Sequence, residues 1–150
     1  IMQTLKFSVL INASREKVWD TMLQDTTYRM WTKEFSEGSH YEGSWEKGSE
    51  IRFLGPDEEG NMGGMYSRIK ENVENEFISI EHLGFISKGI IDTTSEEVKK
   101  WTPAFENYIL LPKENQTELL IEMETSPEYA PMFEEMWPRA LESLKNLCEK

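Results

Sequence analysis

The stretch TLKFSVLINASREKVWDTML, residues 4–23, changes its apolar rhythm in the middle. Up to Ile11 the apolar residues fall at every second position: Leu5, Phe7, Val9 and Ile11. That is the period of a strand with one buried face. Ser14 then offers an N-cap oxygen, and REKVWDTML places Val18 and Met22 at helical spacing, with Trp19 and Leu23 beside them. A one-faced strand that runs straight into a one-faced helix needs a common apolar interior opposite both.

Working outward, TTYRMW (26–31) predicts a second short helix, closed by KEFSEG (33–38). The middle of the chain reads as strands. SHYEGSW (39–45) sets Tyr41, Gly43 and Trp45 on one side, and SEIRFLG (49–55) sets Ile51 and Phe53 together. After the turn-rich GPDEEGNMGG (55–64), MYSRIKENV (65–73) aligns Met65, Ser67 and Ile69. Past a turn at Asn75, FISIEHLG (77–84) aligns Ile78, Ile80 and His82. AFENYILLP (104–112) and QTELLIEMET (116–125), joined by KEN (113–115), complete the series, with Leu120 breaking the alternation of the last. One-sided strands with short connections predict an antiparallel sheet covered on one face. Between them, GFISKGIIDTTSEE (84–97) is read as a connection or a mobile segment beside the interior, and Thr94 with Glu97 predicts a capped short helix from Ser95 to about Trp101.

The cover is the last segment, APMFEEMWPRALESLKNLCEK (130–150). Phe133, Trp137, Ala140, Leu144 and Cys148 fall near one stripe, flanked by Met136, Leu141 and Leu147. Pro138 inside the pattern predicts a kink or a restart. The expected fold class is therefore α+β. A seven-stranded curved antiparallel sheet grips a long C-terminal helix, with two short helices after the first strand and an interior cavity.

The composition sets bounds on function. The chain has 150 residues, the size of one domain, with no internal repeat or low-complexity linker. A chain of this size buries roughly 70% of its unfolded surface, enough for one core. Seven Phe, five Trp and five Tyr supply its bulk. Sixteen Lys and Arg against 28 Asp and Glu leave a net charge of −12, a field that repels nucleic-acid phosphates. The single cysteine, Cys148, allows no internal disulfide and fits a reducing compartment. There is neither an apolar run of the ~20 residues that span a bilayer nor a basic–apolar leader. The expected location is the cytoplasm.

Four stretches, FSVLINASREKVWDTML, EGSWEKGSEIRF, ENEFISIEHLG and MWPRALESLKNL, taken in that order, resemble the START-like, helix-grip superfamily. This is also called SRPBCC, or the polyketide cyclase/dehydratase and lipid-transport group. The nearest branch is the one named after the activator of the ninety-kilodalton heat-shock protein's ATPase. The resemblance covers nearly the whole chain and implies one helix-grip domain over residues 1–150 with a mostly apolar cavity. It does not imply one activity, because members bind lipids, hormones or polyketides, act as cyclases, or help a chaperone.

If the apolar sides face the long helix, the interior is lined by Trp31, Phe35, Trp45, Phe53 and Met65. Ile80, Tyr108, Met132 and Met136 join them. Such a set suits a flat or flexible apolar ligand, since thioethers adapt their shape, but it also suits a closed core. Polar residues share those sides: His82 runs in phase with Ile80, Glu106 with Tyr108, and Ser67 lies between Met65 and Ile69. Buried polar groups need partners. A His–Glu pair can satisfy itself, orient a ligand, or move protons. His40 and His82 are the only histidines, without metal-ligand spacing, so no metal and no other cofactor is expected. No nucleophile motif or phosphate-binding glycine loop is present. The leading reading is a binding protein for a small hydrophobic or amphipathic molecule. A protein-interaction domain with a chaperone or another partner, and a cyclase- or hydrolase-like enzyme using the acid–base pair, stand as its rivals.

Overall fold

The computed structural model describes residues 2–150. Strand β1 (Gln3–Ile11) leads through Ser14, whose hydroxyl accepts from the Lys17 N–H at 3.2 Å, into α1 (Arg15–Leu23). Helix α2 (Asp25–Trp31) follows at once and ends in a 3-10 turn, Thr32–Glu34. Then come β2 (His40–Gly43), β3 (Glu50–Pro56), β4 (Met62–Val73), β5 (Phe77–Ser87) and the short β6 (Ile90–Asp92). Helix α3 (Glu96–Lys99) precedes β7 (Ala104–Lys113) and β8 (Gln116–Thr125), and α4 (Ala130–Cys148) closes the chain.

The strands form one antiparallel sheet in the order β1-β8-β7-β5-β4-β3-β2, with β6 paired to the end of β5. The first and last strands are therefore neighbours, and α4 packs on β1, α1 and α2. The strip predicted for α4 is the buried one: Trp137, Ala140, Leu141, Leu144 and Cys148. Helix α4 runs through Pro138 as one element rather than restarting, with the proline ring on its exposed side.

Two irregularities bend the sheet. Leu83 is an extra residue on β5 between the pairs Ser67↔His82 and Tyr66↔Gly84, and Lys70 is an extra residue on β4 between Ile69↔Ile80 and Glu71↔Ser79. Such bulges increase twist and curvature. Gly64 permits a close approach of β4 to β3: at φ 148° a side-chain carbon there would sit 1.8 Å from the Phe53 carbonyl oxygen.

Several sequence expectations shift in detail. The eighth strand, β6, is only three residues long and returns through Lys88 and Gly89, both at positive φ, so no alternation marks it. The cap of α3 is Ser95, which accepts from the Val98 N–H, and not Thr94. Trp45 lies in the loop after β2 rather than on a strand.

Candidate functional site

The concave face carries a continuous hydrogen-bonded chain of four side chains. Ser67 on β4 stands opposite His82 on β5, and its Oγ lies 2.7 Å from His82 Nδ1. His82 Nε2 lies 3.0 Å from Glu106 Oε1 on β7. Tyr108, two residues along β7, donates its hydroxyl to Glu106 Oε2. Ser67, His82 and Tyr108 are buried, while the Glu106 side chain keeps 17% of its surface open. The strand periods bring these four residues to one face, and β4–β5 and β5–β7 pairing bring them into contact.

Donor counting sets the charge of this chain. Ser67 has no exposed surface, and its one side-chain partner is His82. With the Ser67 O–H donating to Nδ1 and Nε2–H donating to Glu106, each polar hydrogen has an acceptor. A doubly protonated imidazole would instead leave the Ser67 hydroxyl hydrogen buried without one. Neutral His82 is the form that gives every polar hydrogen of these four side chains an acceptor. No lysine or arginine pairs with Glu106 among the described residues.

Aromatic rings surround the chain. Trp137 from α4 stacks on Phe7 at 6.0 Å and meets Phe35 edge-on at 4.9 Å, with Trp31 and Tyr108 also against it. A second group centres on Tyr28 of α2, which meets Tyr41 at 5.0 Å, Trp45 at 6.1 Å and Phe53 at 6.4 Å. Phe53 in turn sets its edge against the His82 ring at 6.0 Å. Burial pushes the Tyr108 and Tyr28 phenols well above their ordinary range, and the Glu106 charge adds to both.

Each expected lining residue has a definite place. Trp31 is fully packed, and its indole N–H donates to the Met22 carbonyl at 3.1 Å, which makes it a core residue. Ile80 is likewise buried, opposite Ile69. Phe35, Trp45, Phe53, Met65 and Met136 are half-buried. Met65 sits between Phe53 and Phe85 in one row across the sheet, and Phe85 is 48% exposed. Met132 is not brought to this group: at the first turn of α4 it stands 41% exposed. The sequence reading gave no role to Tyr28 or Tyr41. Their signal was Tyr28 three residues before Trp31 on a short helix, and Tyr41 in phase with Trp45.

These rings pack against one another across the interior. Concavities of about 280 and 410 Å³ lie elsewhere, beside Thr4, Phe105 and Glu124 and beside Leu10, Lys113 and Glu118. Two polar valences inside are nevertheless unused. The Trp45 indole N–H is buried without an acceptor, and the Glu106 carboxylate accepts two bonds where it can take about four. Ser67, His82 and Glu106 share the connectivity of an acyl-transfer triad, but a serine with no exposed surface presents no Oγ to a substrate carbonyl. Among the described residues no group of three or more His, Cys, Asp or Glu is placed to hold a metal ion. No helix there is long and apolar enough to cross a membrane.

The chain matches the family described as "Activator of Hsp90 ATPase homolog 1-like protein" over residues 12–149. It belongs to that family. Solved structures agree on the helix-grip fold. Protein MLL2253 from Mesorhizobium loti is similar with a TM-score of 0.70 at 15% identity, over 97% of this chain and 96% of that one. The Aha1 dimer from Colwellia psychrerythraea is similar with a TM-score of 0.69 at 19% identity, over 98% and 96%. CalU16 from Micromonospora echinospora gives 0.69 at 14% identity, over 98% and 76%. No match is found among curated proteins. At these identities the structural likeness shows the fold alone. Family and fold together support a ligand-binding or interaction domain.

Proposed function

We propose that this Hsp90 ATPase activator homologue is a single cytoplasmic domain that binds a small hydrophobic or amphipathic molecule between the concave sheet and α4. One observation carries the reading: unused polar valence, at Glu106 and at the Trp45 indole N–H, set among partly buried aromatic rings. A closed structural core satisfies its polar groups internally. An amphipathic ligand supplies both the missing partners and apolar area, with Phe53, Met65 and Met136 as its adaptable walls. Entry requires the half-buried rings to part, a rotamer-scale motion. Native mass spectrometry of protein purified from its own host tests this. A bound small molecule released on activation supports the reading. Bare protein that also fails to bind an apolar dye opposes it.

A protein-interaction reading rests on a different feature. The β5–β6 hairpin exposes Phe85, Ile90 at 71% and Ile91. Such an apolar tip on an acidic domain suits a partner with a basic rim around an apolar patch, as expected of a chaperone-activating role. Co-purification of a chaperone that is lost in Ile90→Asp supports this second reading, and retention in that variant opposes it.

A further inference from the structure

Glu106 is a carboxylate that no lysine or arginine neutralises among the described residues, and it stands against aromatic rings. Its side chain is 17% open, and its two acceptor contacts come from a neutral imidazole and a neutral phenol. Two buried phenols, Tyr28 and Tyr108, feel its charge and are held in their protonated form. Its partner His82 meets Phe53, which also meets Tyr28, and Trp45 meets Phe53 at 5.6 Å and Tyr41 at 5.2 Å. Tyr41, Trp45 and Phe53 are only partly buried, so ring surface continues outward from the His82–Glu106 pair.

Charge in an apolar surround must be matched or it destabilises the fold. An anionic ligand would place like charge beside Glu106. A neutral one would leave the carboxylate unmatched and desolvate it further. A cation does the reverse: it pairs with the carboxylate through its unused acceptor positions and is attracted by the negative faces of the rings.

We propose that the interior selects an organic cation, an ammonium group on an apolar body, with Glu106 as its counter-ion and Tyr41, Trp45 and Phe53 as its aromatic wall. This rests on the ligand-binding reading above and narrows it to one charge class. The apolar body lies along Met65 and Met136, and the ammonium meets the open part of Glu106.

The test compares probes with one tail and three heads: decylammonium, decanol and decanoate. Binding is followed by tryptophan fluorescence in about 1 M salt, where a Debye length of ~3 Å screens the general charge of the surface. Decylammonium is expected to bind at least about fivefold more tightly than decanol, and decanoate more weakly than either. In Glu106→Gln the preference for decylammonium over decanol should vanish. Should that variant not fold, Trp45→Leu should reduce the same preference about threefold. Equal or tighter binding of decanoate, or a preference that survives Glu106→Gln, overturns the proposal while leaving ligand binding intact. Failure of all three probes to bind overturns both.

Discussion

His82 and Glu106 touch although neither is the other's direct partner in the sheet. His82 faces Ala104 and Glu106 faces Ile80, yet Nε2 reaches Oε1 at 3.0 Å across the diagonal. Diagonal neighbours on a sheet lie within reach of long side chains. The contact therefore depends on the register of β5 against β7. In the binding account it anchors a ligand; in a catalytic account it moves a proton. His82→Gln should weaken the binding of a neutral probe such as decanol modestly, by about 1–2 kcal/mol for altered hydrogen bonding around Glu106. If the host-purified protein converts its ligand, and His82→Gln lowers turnover by ~10²–10⁴-fold with affinity intact, the site is catalytic and the binding account is wrong.

Trp137 ties the cover to the sheet. It is 3% exposed, touches Phe7, Trp31, Phe35 and Tyr108, and its indole N–H points to Met123 Sδ at 3.0 Å. Trp137→Ala should destabilise the fold by ~3–5 kcal/mol in a denaturant titration. A loss below ~1 kcal/mol would show that α4 is held mainly by its C-terminal half.

Met65 tests the location of the ligand. It is half-buried between Phe53 and Phe85. Met65→Trp should fill the space beside the rings and abolish dye binding while the fold persists. Unchanged dye affinity in the folded variant would move the site to an exposed patch, such as the Ile90 hairpin.

Alkaline behaviour follows from the phenols. Tyr28 and Tyr108 are raised above the ordinary 10.0 by burial, with Glu106 adding to both and a neighbouring phenol, Tyr41 for Tyr28 and Tyr28 for Tyr108, adding further. The folded state therefore keeps protons that the unfolded chain releases. This contribution to stability is fully present below about pH 10 and is lost as pH rises through the higher folded values. Phenolate absorbance should show these two of the five tyrosines ionising only as the protein unfolds. The variant Tyr28→Phe/Tyr108→Phe should lose less stability above that pH. Simultaneous titration of all five with the fold intact would contradict the burial of the pair.

Much of this was legible in the sequence because burial on one face writes itself as alternation. Leu5 to Ile11, Met65 to Ile69 and Ile78 to His82 each keep their period, so the polar residues on those faces could be named before any contact was known. The contact itself was not legible, since β5 and β7 are separated by β6 and α3, and only their register sets the diagonal. The extra residue Leu83 also resets the phase of β5, which puts Phe85 rather than Gly84 in the row of Met65. Tyr28 and Tyr41 were hidden for another reason. A seven-residue helix and a four-residue strand are too short for periodicity to tell an inward ring from an outward one. Met132 falls one residue before Phe133, the half-buried start of the α4 stripe, and helical rotation turns it outward.

The location of the ligand is tested most directly by methyl NMR of the methionines during titration with decanol. Met65 and Met136 border the proposed site, Met22 and Met123 lie in the packed core, and Met30 and Met62 are exposed. The account predicts that the Met65 and Met136 methyl signals shift together and saturate while Met30 and Met62 stay in place. Saturable shifts confined to Met30 or Met62, or no saturable shift at any methionine, would contradict a ligand site between the sheet and α4.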